Sequence, residues 1–204
     1  ERLGLPVSIE NDANCAALAE VEYGVAKSVQ NAVFFIIGSG IGGSVVLNRQ
    51  LHKGNNLFGG EFGRMKIGSN ATLSMLASPV QVAKRYADSQ SIPSSFSGKD
   101  LFSLADQGIT IAQQVISDLY DSLATGIYNV LMVLDPELVV IGGGLSKREG
   151  LLEEIDKRVQ ILLKENDATD LQFQLETCRY FNDANLLGAA VHFQSKGVSY
   201  EVKE

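Results

Sequence analysis

The chain has 204 residues, of which 45% are hydrophobic and 20% are charged. This balance is typical of a folded globular protein and excludes disordered, collagen-like and disulfide-scaffold proteins. There are 24 acidic residues against 17 basic ones, giving a net charge of −7. Since a polyanionic partner requires a basic surface, this charge disfavours nucleic-acid binding by the chain.

Cysteine usage and apolar run length indicate the cellular setting. Cys15 and Cys178 are far apart in the sequence and show no C-x-x-C spacing, so neither a zinc site nor a disulfide framework is predicted. The longest apolar runs, such as 33–37, are far shorter than the ~20 residues that span a bilayer. We therefore predict a cytoplasmic protein that does not cross a membrane.

The first 50 residues predict three strands and one helix. The strands are expected at 6–9, 33–37 and 44–47. The helix is expected over 13–24, with Asn11 or Asp12 as its N-cap. A turn at 48–49 returns the chain through Leu51.

The rest of the chain is predicted to be mainly helical. The helices are expected at 73–87, 109–134, 150–164 and 184–193. Apolar residues keep a helical period over about seven turns in 109–134, which makes it the central core helix, and Asp135-Pro136 ends it. Strands at 138–141 and near 171–175 complete an α/β alternation.

The first candidate site is the segment 10–14, between a predicted strand and a helix start, where α/β proteins commonly bind ligands. The Asp12 carboxylate could accept a hydroxyl proton, and the Asn11 amide could orient the same substrate. A plain helix cap is the alternative, because both residue types are favoured N-caps.

The second candidate is the glycine-rich segment 38–43, whose bare backbone amides could converge on phosphate oxygens. It is not a Walker loop, since no Gly-Lys-Ser/Thr follows, and a strand rather than a helix succeeds it. A hairpin turn is the alternative, but four glycines exceed what a turn needs. The segment therefore favours phosphate binding.

Two further glycine-rich segments are candidates. Glu61 lies among glycines in the irregular stretch 54–68, which we interpret as a functional loop, and its carboxylate could bind paired sugar hydroxyls. The glycines at 142–144 follow a buried strand and would let a flat ring or a ribose approach the backbone. An exposed loop glutamate and a strand-to-helix turn are the respective alternatives.

Two other patterns are set aside. Residues 106–110 fit Asp-x-Gly-x-Thr, but they lead into the long helix and are predicted to be a turn and helix start. His52 and His192 lack metal-ligand spacing and are predicted to be surface or packing residues.

Taken together, the order and spacing of the motifs resemble the ROK family (repressor, open reading frame, kinase) of sugar kinases and sugar-responsive repressors. The matching segments are 5–14, 37–43, 53–63, 135–145 and 182–190. Within the family, the sequence is most similar to kinases of β-glucosides such as cellobiose from low-GC Gram-positive bacteria. The resemblance implies an α/β, actin-like ATPase and ribonuclease-H-like fold of two lobes, with residues 1–204 as the C-terminal lobe.

The resemblance also implies ATP-dependent phosphorylation of a sugar hydroxyl, most often the 6-hydroxyl, with Mg²⁺, by a homodimer. Asp12 would be the catalytic base, and Asn11 and Glu61 would hold the other hydroxyls of the sugar. ATP would lie along the backbone of two segments, which are Gly38, Ser39, Gly40, Gly42 and Gly43 for the phosphates and Gly142 and Gly143 for the adenosine.

This sequence departs from the family pattern in its sugar loop. The family commonly has a histidine after Glu-x-Gly and then a zinc-binding cysteine cluster, whereas this chain has Arg64 and no cysteines follow there. No structural zinc is therefore expected. Arg64 could instead hydrogen-bond the sugar or a loop carboxylate, since a guanidinium is a good donor but no metal ligand.

The second departure concerns the amino terminus. Family members open with an Asp-x-Gly-x-Thr hairpin that helps bind phosphate and Mg²⁺, and this sequence begins after such a hairpin. We expect the chain to be a C-terminal kinase lobe that is inactive or nearly so alone. The alternatives are the sugar-sensing domain of a ROK repressor and a degenerate lobe kept for dimerisation.

Overall fold

The computed structural model describes residues 5–68, 70–93, 95–180 and 183–196. Within these ranges the strands are β1 (Ala32–Ile37), β2 (Ile41–Leu47), β3 (Gln50–Leu51), β4 (Leu138–Gly143) and β5 (Gln174–Thr177). The helices are α1 (Asp12–Tyr23), α2 (Leu73–Ala77), α3 (Pro79–Gln90), α4 (Gly98–Asp106), α5 (Thr110–Leu134), α6 (Leu151–Glu165) and α7 (Ala184–Ser195). Asn182, part of a motif expected to precede the last helix, lies outside these ranges.

The five described strands form one mixed sheet in the order β3-β2-β1-β4-β5. The first three strands follow one another as antiparallel hairpins, and β4 and β5 run parallel to β1. Asn48 and Arg49 form the second hairpin turn with φ values of 51° and 62°, as tight two-residue turns require. This confirms the turn that the sequence predicts there.

Helices cover both faces of the sheet. Alternate residues of β1 point to opposite sides, so Val33, Phe35 and Ile37 pack into the core that contains α5 and α6. Phe34 faces the other side, where Ala17 and the rest of α1 lie. A strand covered on both faces must be apolar throughout, which explains the sequence Ala-Val-Phe-Phe-Ile-Ile of β1.

The long helix α5 confirms the central core helix predicted over 109–134. Leu119, Leu123, Ile127 and Leu131 are fully buried along one side of it. Asp135 ends the helix in a left-handed conformation with φ 42°, directly before the proline. Among the described helices, none, α5 included, combines the length and apolar character needed to cross a bilayer.

The strand predicted at 6–9 is wrong, because no described strand lies alongside it to form a ladder. Leu5, Val7 and Ile9 are 52%, 76% and 88% exposed. Alternating apolar residues favour an extended chain, but a strand also requires a hydrogen-bonding neighbour. Residues 6–9 therefore belong to no described strand.

The helix predicted over 73–87 is in fact two helices. Pro79 occupies the first position of α3, and Ser78 is its N-cap, with the Ser78 hydroxyl accepting from the Gln81 amide at 3.5 Å. The sequence prediction missed α4, although its capping box was present. At the start of that helix the Ser97 hydroxyl accepts from the Asp100 amide, and the Asp100 carboxylate accepts from the Ser97 amide.

Two strand boundaries also differ from the prediction. The loop expected over 38–43 is only a turn at 38–40, and Gly42 and Gly43 are residues of β2 paired with β1. The last strand begins at Gln174 rather than near Leu171, because Leu171 packs on the core before the chain comes alongside β4.

Replacing Gly188 with alanine should destabilise the fold. A Cβ there would overlap the backbone carbonyl of Cys15, because α7 packs directly on α1 at this glycine. Backbone atoms cannot rotate away, so we expect a loss of about 1–3 kcal/mol in the free energy of unfolding, measured by urea denaturation. Ala189→Ser, at an exposed position of the same helix, is the control and should change stability by less than ~0.5 kcal/mol. Equal stabilities would contradict the close packing of the two helices.

Candidate active site

A cleft of about 360 Å³ opens between the start of α1 and the β1–β2 turn. Most of the residues selected from the sequence for the sugar and the phosphates line it, namely Asp12, Gly38, Ser39, Gly40, Gly42, Glu61 and Arg64. Asn11 and Gly43 are adjacent in sequence to lining residues but do not themselves line the cleft. The start of α1 and the carboxyl end of β1 therefore bring Asp12 and the turn that begins at Gly38 together. Glu61 and Arg64 lie beside them.

Asn11 and Asp12 have different roles at the start of α1. The Asn11 side-chain oxygen accepts hydrogen bonds from the amides of Ala13 at 2.8 Å and Asn14 at 3.3 Å, so Asn11 is the N-cap. One carboxylate oxygen of Asp12 also accepts from the Ala13 amide at 2.8 Å. The other Asp12 oxygen has no partner among the described residues and is available to a ligand.

The carbonyls of the β1–β2 turn are all occupied. The Gly38 carbonyl accepts from the Ser78 hydroxyl at 2.9 Å, and the Ser39 carbonyl accepts from the Gln81 side chain at 3.1 Å. The Gly40 carbonyl accepts from the Gly38 amide at 2.9 Å. In the described part of the chain, the amides of Ser39 and Gly40 have no acceptor. The turn thus presents two unpaired N–H donors, an arrangement that suits an anion.

Sequence reasoning missed the side chains that hold this turn. Besides Ser78 and Gln81, the Ser74 hydroxyl accepts from the amide of Ile41 at 2.8 Å. A serine before Pro79 is a recognisable N-cap signal. No local signal shows that it also binds a carbonyl 40 residues earlier.

The glycines of segment 38–43 lie in two different environments. A Cβ at Gly43 would overlap Phe62 and the carbonyl of Gly60, so packing requires glycine there. A Cβ at Gly38 would meet nothing within 4 Å, and one at Gly40 would touch only Ser74, at 3.4 Å. Neither Gly38 nor Gly40 has a left-handed φ. Neither packing nor backbone conformation therefore requires glycine at these two positions.

Glu61 and Arg64 form one wall of the cleft. Glu61 precedes a 3₁₀ turn over Phe62–Arg64 and Arg64 ends it, and the Arg64 Nε donates to the Glu61 carboxylate at 3.0 Å. Phe62 stacks on Phe35 of β1 with ring centroids 4.7 Å apart, which fixes this wall to the sheet. Arg64 is thus bonded to a loop carboxylate, one of the two partners predicted for it.

A second cavity of about 650 Å³ lies between α3, α4 and the segment after β4. Gly38 lines both this cavity and the first cleft. Gly144 lines it, whereas the predicted Gly142 and Gly143 do not. A Cβ at Gly142 would crowd Ile36 and Cys178, and Gly143 has φ 83°. These two glycines therefore shape the strand end behind the cavity.

Arg148 forms the far wall of the second cavity. Its guanidinium bonds the Asp106 carboxylate at 2.6 Å and lies 4.4 Å from the centroid of the Phe102 ring. The hydrogen bond from Arg148 lowers the pKa of Asp106. Asp106 ends α4, and α5 begins at Thr110, so the prediction of a turn and helix start over 106–110 is confirmed.

A buried carboxylate, Glu10, precedes the site and was not selected from the sequence. Its side chain is 6% exposed and accepts from the Asn11 amide at 3.0 Å and from Asn14 Nδ2 at 2.9 Å. Lys53 bonds its other oxygen, and His192 Nδ1 lies 3.8 Å from that oxygen. Burial alone would raise the pKa of Glu10, but the hydrogen bonds from Lys53, Asn14 and Asn11 outweigh it and lower the pKa below 4.5.

The described residues contain no group of three histidine, cysteine or acidic side chains able to hold a metal ion. Both cysteines are buried and free. Burial, reinforced by the charges of Glu10 and Asp12, raises the pKa of the Cys15 thiol. Burial together with Glu20 raises that of Cys178 to about 12. Neither thiol is thus disposed to ionise at neutral pH.

Replacing Glu10 with glutamine should flatten the acid dependence of stability. A carboxyl whose folded-state pKa is lowered stabilises the fold above its unfolded pKa, and this contribution is lost as the pH falls through the folded pKa. The wild-type free energy of unfolding should therefore decline below pH 4.5 more steeply than that of Glu10→Gln. At pH 7 the variant should be about 1–3 kcal/mol less stable, because Lys53 loses its charged partner.

Urea denaturation from pH 7 to pH 3 measures both effects. Glu22→Gln, which removes an exposed carboxylate from α1, the helix that Glu10 precedes, is the matched control and should follow the wild-type curve. Parallel curves for the wild type and Glu10→Gln would show that Glu10 is not stabilised in its charged form.

Comparison with known proteins shows which family the chain belongs to. The family model described as "ROK family" matches residues 1–196. The chain is 35% identical over 207 residues to a β-glucoside kinase of Klebsiella pneumoniae, covering 94% of this chain and 65% of that kinase. The chain thus spans somewhat less than two thirds of the length of that relative.

Solved structures show the same fold. A ROK family protein from Streptococcus pneumoniae TIGR4, in complex with sucrose, superposes with a TM-score of 0.84 at 31% identity, covering 95% of this chain and 67% of that one. A ROK family glucokinase from Streptomyces griseus, in complex with glucose and AMPPNP, gives 0.74 at 25% identity, covering 93% and 68%. The fold is the actin-like ATPase fold that the sequence predicts, and the chain belongs to the ROK family.

Proposed function

We propose that this chain is the C-terminal lobe of a sugar kinase that transfers the γ-phosphate of ATP to a sugar hydroxyl, most often the 6-hydroxyl. The observation that carries the proposal is that Gly38 lines both cavities. A sugar in the smaller cleft and an adenosine in the larger one would have the phosphates between them, at the unpaired amides of Ser39 and Gly40. The names of the relatives and the ligands of the solved neighbours support this assignment.

In this reaction the available oxygen of Asp12 accepts the proton of the sugar hydroxyl as that hydroxyl attacks the γ-phosphorus, the bond from the γ-phosphorus to the β–γ bridging oxygen breaks, and ADP leaves. Glu61 and Arg64 bind other hydroxyls of the sugar. Asn11 adjoins the cleft without lining it and would contribute its side-chain NH₂, since its oxygen is used in the cap. The amides of Ser39 and Gly40 donate to phosphate oxygens. Phosphoryl transfer depends mostly on positioning and charge stabilisation, and these residues supply both.

The residues of the second cavity fit an adenosine and its phosphates. Its lining combines the apolar Val80, Phe102 and Leu145 with the basic Lys99 and Arg148. Mg²⁺ commonly keeps several waters and binds through one or two carboxylates plus substrate phosphates. Bound in this way, it would neutralise phosphate charge.

Three properties belong to the same proposal. The loop that carries Glu61 binds no structural zinc, because Arg64 rather than a metal ligand stands three residues after Glu61. The protein is cytoplasmic, in keeping with two free and buried cysteines. It is a homodimer, as expected for the family, and light scattering of the purified protein tests this.

A sugar-sensing repressor domain is the alternative within the family. Such a sensor needs the sugar cleft, but it needs neither unpaired amides beside that cleft nor a second cavity sharing Gly38. These two features favour the kinase.

Replacing Asp12 with asparagine should lower kcat by about 10²–10⁴-fold, the usual contribution of general-base catalysis. Asparagine retains an oxygen for the Ala13 amide, so the cap of α1 and the sugar affinity should change little. The measurement is steady-state kinetics of the full-length protein with calorimetric sugar binding. Glu22→Gln is the matched control, and a kcat for Asp12→Asn within threefold of wild type would exclude Asp12 as the base.

Replacing Gly40 with alanine should weaken ATP binding without weakening the fold. The methyl group would stand where the phosphates approach the Ser39 and Gly40 amides, so we expect KM for ATP to rise about tenfold. Because a Cβ there makes only an ordinary contact with Ser74, the free energy of unfolding should change by less than ~0.5 kcal/mol.

Gly43→Ala is the contrasting variant, because its Cβ would overlap Phe62 and should destabilise the protein instead. An unchanged KM for ATP in Gly40→Ala would show that the phosphates do not pass over this turn.

A further inference from the structure

We propose that Leu57 and Phe58 form a subsite for the second ring of a disaccharide, with Phe58 setting the preference for disaccharides over hexoses. This inference rests on the proposed function, since it places the first ring in the cleft that Asp12 and Glu61 line. It adds a specificity residue to that site.

The first observation is the exposure of two adjacent large apolar side chains. Leu57 is 72% exposed and Phe58 is 65% exposed. Single exposed apolar residues are ordinary on a protein surface. A neighbouring pair that includes an aromatic ring, on the loop that carries a wall of the active site, is a more specific feature.

The second observation is that Phe58 adjoins the wall of the cleft. The Arg64 guanidinium lies 5.7 Å from the centroid of the Phe58 ring, and Arg64 lines the cleft. Arg64 also bonds Glu61 at 3.0 Å. A continuous surface therefore runs from the Glu61 carboxylate over the Arg64 guanidinium to the Phe58 ring, changing from polar to apolar along its length.

The third observation is that the loop presenting this pair is firmly held at its neck. The Gly59 amide donates to the Lys53 carbonyl at 2.8 Å, and the Glu61 amide donates to the Phe58 carbonyl at 3.2 Å. A Cβ at Gly59 would overlap the His52 backbone, so the two arms of the loop touch there. Leu57 has φ 62°, a conformation that non-glycine residues seldom adopt away from functional or tightly constrained segments.

The chemistry of a disaccharide matches this surface. One face of a pyranose ring carries C–H groups and packs on an aromatic ring, while its edge carries hydroxyls that bind carboxylates and guanidinium groups. When the first ring presents its hydroxyl to Asp12, the second ring must lie beyond it. The polar-to-apolar surface from Glu61 to Phe58 offers the two kinds of contact that this ring needs.

The test compares Phe58→Ala with wild type in the full-length protein, at saturating ATP, with glucose and with cellobiose as the varied substrate. Loss of one aromatic packing contact should raise KM for cellobiose about five- to tenfold. KM for glucose and both kcat values should stay within about twofold. Phe58→Tyr should restore the cellobiose KM, because it keeps the ring face.

Leu186→Ala, which removes a 79% exposed side chain from α7, is the matched control and should change neither KM. An unchanged cellobiose KM in Phe58→Ala would overturn the subsite, and so would an equal loss for both sugars. A change in molecular mass by light scattering without a cellobiose-selective effect would assign Phe58 to a contact between subunits instead.

Assays of the wild-type protein with glucose and cellobiose distinguish a failure of this inference from a failure of the proposed function. Phosphorylation of glucose but not of cellobiose would overturn the subsite alone and leave the kinase assignment standing. Phosphorylation of neither sugar, nor of other hexoses, would overturn both.

Discussion

The site depends on how the carbonyls of the β1–β2 turn are occupied. Ser78 and Gln81, at the start of α3, bind the carbonyls of Gly38 and Ser39. The C=O and N–H groups of one trans peptide unit point in opposite directions. When the Gly38 and Ser39 carbonyls point towards α3, the N–H groups of Ser39 and Gly40 point away from it. The turn consequently presents unpaired N–H groups beside the cleft, and donors held in this way would not need to reorganise around an anion.

The sheet and its helices place the candidate site residues around this turn. β1 runs between the antiparallel β2 and the parallel β4, so its carboxyl end lies beside the glycine turn and the segment that lines the second cavity. α1 packs across one face of the sheet and brings Asp12 to the same edge. Glu10 fastens the start of α1 to Lys53 and approaches His192 of α7, so the position of Asp12 depends on three separate parts of the chain.

Local sequence was sufficient for elements whose reason is local. The apolar period of α5, the proline after Asp135 and the turn at Asn48-Arg49 all depend on residues close in sequence. The unpaired segment before α1 and the split at Pro79 differed from expectation for two separate reasons. A strand needs a partner that lies elsewhere in the fold, whereas a proline after a good N-cap residue begins a new helix even inside an apolar run.

By itself, the sequence determined the residue types of the site and their order, and these were enough to indicate the family and to select Asp12, Glu61 and the glycines. Only the tertiary structure decided which of those glycines lie open beside the cleft and which are required by a packing contact, as Gly40 and Gly43 are respectively. The same is true of Ser78, whose bond to Gly38 joins residues 40 positions apart. A glycine has no side chain to reveal its surroundings, so its role is fixed by the atoms that the fold brings near it.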